Sequence, residues 1–170
     1  NISNQIYGVN DIGLQKVDAL YNIVYDFTGE EIIRCNMALT KDTDVELSKY
    51  VFVLTDTMSS RKDIWKNVIK SSSKHHKVIE TRMGIETCMI YSFDSSNNRL
   101  CDKYEGTFYE DGQAETSACG TSISVGPTST LLASLAVWQF MKLAKAGVRL
   151  KDVETEFRTV LSVNPFFYTS

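Results

Sequence analysis

The chain has 170 residues, 43% of them hydrophobic and 23% charged, the composition of one ordinary globular domain. A formal net charge of −3 argues against a general nucleic-acid binder, so the local cluster Lys70, Lys74, His75, His76 and Lys77 reads as a solvated loop with both histidines facing water. Cys35, Cys88, Cys101 and Cys119 form no C-x-x-C pair, which argues against a zinc knuckle and a disulfide framework and points to a reducing, cytoplasmic setting. No stretch approaches the roughly 20 apolar residues of a membrane span. Thr130 to Met141 is interrupted by Ser134 and Gln139, and no secretory signal is visible after Asn1.

Asn1 to Asn10 is polar and turn-like. Asp11 is a good cap for a helix to about Phe27, with Ile12, Val17, Leu20, Ile23 and Val24 in helical register and Gly29 as its stop. Glu31 to Leu39, carrying Ile32, Ile33, Cys35 and Met37, predicts a strand. Tyr50 to Leu54 is β-branched or aromatic at nearly every position and predicts a central parallel strand covered on both faces. Thr57 to Asn67 then predicts a helix with Met58, Ile64, Trp65 and Val68 on its buried side and Arg61, Lys62 and Lys66 on the other. Ligands of open α/β sheets sit outside the carboxyl ends of strands, which is where Asp56 falls. An Asp in that place also caps helices, so the pattern leaves both roles open.

Val78 to Gly84 predicts another short strand, and Cys88 to Phe93 begins a mainly antiparallel portion. Ser95 to Asn98 is a turn, Arg99 to Tyr109 predicts a further strand, and Glu110 to Thr121 reads as a surface loop. A helix from about Pro127 to Ala146, closed by Gly147, is apolar around most of its circumference and is expected to be buried on several sides. Asp152 to Phe157 suggests a short helix, Arg158 to Val163 a strand, and Phe166-Phe167-Tyr168 an aromatic end. The expected fold is α/β, a single domain in which residues 1–84 are Rossmann-like and residues 85–170 hold antiparallel strands and the late helix. That helix and the aromatic tail together predict a homodimer.

Four segments resemble, in order, signatures of the ubiquitin-activating, ThiF/MoeB-type adenylyltransferases. They are Asn1-Ile-Ser-Asn4-Gln5 followed by Asp11-Ile-Gly13-Leu-Gln-Lys16, then Leu54-Thr-Asp56-Thr-Met-Ser-Ser-Arg61, Ile79-Glu-Thr-Arg82-Met-Gly84, and Cys119-Gly120 with Val125-Gly126-Pro127 through Lys142. The resemblance implies a Rossmann-like ThiF-type fold, mostly parallel with an antiparallel extension, and ATP-dependent adenylation of the C-terminal carboxylate of a ubiquitin-like or sulfur-carrier protein. Under it Asn1, Asn4 and Gln5 hold ribose and phosphates, Lys16 contacts phosphate, Asp56 binds Mg²⁺, and Arg61 supports the Asp56 corner or the neighbouring loop. Mg²⁺ suits one or two carboxylates completed by substrate phosphates and water.

Two departures stand out. Asn4 replaces the family's Arg, losing a bidentate phosphate grip, and no G-x-G-x-x-G turn occurs. A glycine-rich half is therefore expected upstream or on another chain. Many members also pass the activated carrier to a cysteine. Cys119, in a polar loop ahead of a helix whose N-terminus would lower a thiol pKa, is the candidate nucleophile, with Cys101 second and Cys35 and Cys88 as core residues. Cys119 also reads as a small residue packing under the crossover, or as an inert remnant of a zinc site whose C-x-x-C partners are missing. The alternative function is a non-catalytic Rossmann-like partner or carrier-binding module. A nucleotide-binding oxidoreductase fragment gives the Asn1-to-Lys16 pattern no role.

Overall fold

The computed structural model describes residues 5–43, 45–113, 126–145 and 156–170, and the chain divides into two compact units, Asn1–Ala38 and Leu39–Ser170. The first unit contains helix α1, Lys16–Thr28. It starts later than Asp11 because that carboxylate is already engaged, accepting the Gly8 N–H at 2.7 Å across a short 3₁₀ turn, Val9–Asp11. Gly29 ends the helix in the left-handed region (φ +72°), with its N–H donating to Tyr25 O, a conformation that favours glycine. Residues 31–39 form no strand. Ile33 is 94% exposed and Cys35 is exposed too, so neither apolar pairing nor core packing recruits them.

The second unit is built on a five-stranded sheet in the order β1 (Tyr50–Val53), β2 (Lys77–Met83), β3 (Thr87–Asp94), β4 (Arg158–Val163) and β5 (Phe166–Thr169). Among the described residues only β1 and β2 run parallel; the other three pairings are antiparallel. The architecture is α/β with a mixed sheet, and the expectation of a mostly parallel one is corrected. Short turns explain the balance, since β2 to β3 and β4 to β5 each reverse within three residues or fewer, whereas a parallel return needs a crossover. Strands on both sides of residue 84 share this one sheet.

Alternation along β2 and β3 sends side chains to two layers. On one side Val78, Tyr91 and Phe93 pack with Val53 and with Trp65, Ile69, Cys101 and Tyr104. Those last four come from helix α2 (Met58–Ile64), which continues as a π-helical turn Trp65–Ile69, and from helix α3 (Asn98–Glu105). On the other side Ile79, Cys88, Ile90 and Leu161 pack with Leu132, Ala136 and Leu143 of helix α4 (Gly126–Lys145). β2 and β3 are thus both covered on both faces.

β1 lies at the end of the sheet, with Phe52 39% and Leu54 63% exposed, so the reading of Tyr50–Leu54 as doubly covered is corrected. The strand expected over 99–109 is α3 instead. Asn97 caps it, its Oδ1 accepting Leu100 N–H, and Cys101 and Tyr104 at helical spacing both enter the core. α4 buries one stripe only, leaving Val137 and Trp138 more than half exposed. The segment 152–155 and the loop 114–121 lie outside the described residues.

Candidate functional site

α2 begins directly after the carboxyl end of β1, and Thr57 rather than Asp56 caps it. Thr57 Oγ1 accepts the Ser60 N–H at 3.3 Å, and Thr57 O accepts the Arg61 N–H. The two preceding amides are satisfied from far along the chain, because Asp111 Oδ1 accepts from Met58 N at 2.5 Å and Ser59 N at 3.1 Å. With the helix terminus provided for, Asp56 is exposed and its carboxylate makes no hydrogen bond or ion pair to a described residue. The capping role that the sequence left open belongs to its neighbour.

Behind this corner lies a buried ionic cluster that sequence reasoning missed. Glu80, fully buried in the middle of β2, sits between Arg61 of α2 and Arg82 two residues further along its own strand. Arg82 Nε donates to both Glu80 oxygens, at 3.2 and 3.0 Å, and its Nη atoms donate to Thr107 O and Oγ1. Arg61 Nε is 2.7 Å from Glu80 Oε1 without being aligned as a hydrogen bond, while its Nη2 donates to Thr81 O at 3.0 Å. Burial pushes the Glu80 carboxyl up, and the guanidiniums of Arg82 and Arg61 pull the other way. Arg82 also lies over the Tyr91 ring at 4.5 Å. The same burial, reinforced by Glu80, raises the Tyr104 hydroxyl.

Spacing alone puts Arg61 on the solvent face of its helix, and the resemblance gives it a catalytic, supporting role. The structure corrects both. Arg61 is 6% exposed and spent on internal partners, so it holds α2 to β2 and does not face a ligand. The signal for this was the pair of charges Glu80 and Arg82 inside an apolar strand, both on the face of Val78.

The remaining expected residues divide by unit. In Asn1–Ala38, Gln5 is exposed in a bend and Lys16 is the exposed first residue of α1; Asn1 and Asn4 lie outside the described residues, as does Cys119. Asp56 and Arg61 belong to Leu39–Ser170. Cys101, the second nucleophile candidate, is a core residue of α3, its Sγ donating to Ser95 O and its thiol pushed up by burial. Cys88 is core as expected, and burial raises its thiol as well. His76, expected in solvent, is 1% exposed, with Nδ1 2.9 Å from Ser48 O and Nε2 3.1 Å from Ser72 Oγ. An open cavity of about 560 Å³ beside it is lined by Lys49, Lys74, His75 and Glu46, the last paired with Lys74. Among the described residues no group of three His, Cys, Asp or Glu side chains is placed to hold a metal by itself, and no helix is long and apolar enough to cross a membrane.

No family model matches the chain, and no curated protein matches it. Among solved structures it is similar to one described as "Crystal Structure of SeMet PaaA", with a TM-score of 0.65 and 14% identity, over 99% of this chain. The chain spans 59% of that protein's length. These findings overturn the ThiF/MoeB-type assignment, which rested on short strand-to-helix signatures, and at this identity the likeness speaks for the fold alone. Physically, an acid and a base flanking the start of a helix are what many α/β crossovers need for capping and ion pairing. Arg61 is such a case.

Proposed function

We propose that this chain supplies the metal-binding corner of an enzyme that activates a carboxylate with ATP, by adenylation. The substrate class is the one that the resemblance implied, the C-terminal carboxylate of a ubiquitin-like or sulfur-carrier protein. The observation that carries the proposal is Asp56, an exposed carboxylate at the end of a parallel strand, without a partner among the described residues while the amides of the helix start are satisfied by other groups. A lone carboxylate fits Mg²⁺ that takes its other oxygens from nucleotide phosphates and water. When bound, that ion would cover charge on the phosphates as the carboxylate approaches. The chain's own contribution is to present Asp56 on a helix start pinned by Thr57 and Asp111. Asp56→Ala should retain the melting temperature of the parent and lose Mg·ATP binding, measured by calorimetric titration of the full native protein. Parental affinity in that variant would refute the assignment.

A second reading is a non-catalytic α/β partner or carrier-binding module, and the outer face of α4 favours it. Val137, Trp138 and Met141, with Ala133 and Ser134, border an open apolar hollow of about 480 Å³. A homodimer through this face is the expected form. Val137→Glu should then leave the fold unchanged by circular dichroism and shift the sedimentation coefficient from dimer to monomer. A monomeric parent at micromolar concentration would dismiss the dimer.

A further inference from the structure

Two buried polar side chains each leave one atom without a hydrogen bond among the described residues, and both lie in the layer between α4 and the sheet. Ser92 of β3, 2% exposed, leaves its Oγ unpaired, and Gln139 of α4, 0% exposed, leaves its Oε1 unpaired. Strand register brings the two together. Ser92 lies two residues along β3 from Ile90 and therefore on the same face, the one packed against α4. Ile90 is paired with Thr159 of β4, whose Oγ1 accepts from Gln139 Nε2 at 2.9 Å. Ser92 is thus the diagonal cross-strand neighbour of the residue on which the Gln139 amide rests.

The two unpaired atoms are complementary in kind. The Ser92 hydroxyl has a proton to give, and the Gln139 amide oxygen takes one. Thr159 Oγ1, already an acceptor for Gln139, has a proton of its own to give as well. Buried polar groups are paired in folded proteins, and ordered water serves where no protein group reaches. The charges at the edge of this layer favour a neutral occupant over an ion. Gln139 Nε2 lies 3.5 Å from Glu156 Oε2, and Lys142 Nζ donates to that same oxygen at 2.7 Å, so the carboxylate is compensated within the protein. We propose that the layer holds a binding site for a single water molecule, which accepts the Ser92 hydroxyl proton and donates to Gln139 Oε1. The water extends to β3 the polar ties of α4, which reach β4 through Gln139 and Ile85 O through Thr128. The Lys142–Glu156 pair, partly exposed, marks its route to solvent.

Oxygen-17 relaxation dispersion of the full native protein counts long-lived waters without interference from exchanging hydroxyl protons. Buried waters number about one per 27 residues, so the readout is the difference between parent and variant. Ser92→Val and Gln139→Leu each replace one of the two groups by an apolar side chain suited to its strand or helix. Each should lower the amplitude by one water, and the double variant by one and not two, because both lose the same molecule. Circular dichroism checks the fold, and Ser92→Ala and Gln139→Met stand in for a variant that fails to fold. A parent without a long-lived water, an unchanged amplitude in either folded variant, or a loss of two in the double variant overturns the site.

Discussion

Glu80→Ala is expected to destabilise the protein by about 3–5 kcal/mol, because it leaves two guanidiniums buried without their shared counter-charge. Arg61 and Arg82 are 6% and 4% exposed, so water cannot readily take the place of the carboxylate. Each keeps some neutral partners: Arg61 has Thr81 O, and Arg82 has Thr107 O and Oγ1. Those dipoles offset some of the penalty but carry no charge. The loss should appear in urea unfolding followed by tryptophan fluorescence as a lower midpoint with an unchanged slope. Adding Arg61→Met to Glu80→Ala should recover some of it, since removing a stranded buried cation is favourable. A loss below about 1 kcal/mol, the range of solvent-screened pairs, would mean that the cluster is hydrated in solution and that Arg61 is available for another role.

The other large effect is expected at Trp65, at the start of the π-helical turn. It is 1% exposed and meets Phe93 and Tyr104 edge-on, with ring centroids 5.5 and 5.2 Å away. Trp65→Ala should cost about 3–5 kcal/mol, the range for deleting a large buried aromatic side chain. Trp65→Phe separates the two contributions of the residue. It retains most of the packed area and loses only the Nε1–H that Glu105 Oε1 accepts, for about 1–2 kcal/mol. Thermal unfolding of the two variants, read against the parent, measures both. A loss in Trp65→Phe as large as in Trp65→Ala would place the energy in the hydrogen bond to Glu105 rather than in the aromatic cluster.

Trp65 and Arg61 also show where reading the sequence succeeds and where it stops. Spacing alone assigns Met58, Ile64, Trp65 and Val68 to the inner face of α2. Met58 and Trp65 are buried and Ile64 and Val68 half-buried, because apolar side chains at 3.6-residue spacing can satisfy themselves only against a core. The same rule sends Arg61 to water, and it fails there because hydropathy cannot register a counter-charge nineteen residues later on a strand. His76 fails likewise: its two partners, Ser48 O and Ser72 Oγ, are brought to it by the fold.

By itself, then, the sequence determined the local grammar of this protein. It placed the strand at 50–54 followed by a helix, the strand at 78–84, the turn at 95–98, the helix from about 127 to 146 and the strand at 158–163, all signalled by short-range periodicity and turn chemistry. It also placed Asp56 at the carboxyl end of a strand. Only the tertiary structure decided that β1 lies at the sheet's edge, that the sheet is mixed rather than mostly parallel, and that residues 31–39 form no strand. Strand pairing is a non-local choice, made by which edges meet, and a strand's own residues do not record its neighbour. Tertiary structure decided Asp56's freedom as well. Asp56 is left without a partner among the described residues because Thr57 caps the helix and Asp111, in a loop the sequence showed merely as polar, takes the two preceding amides.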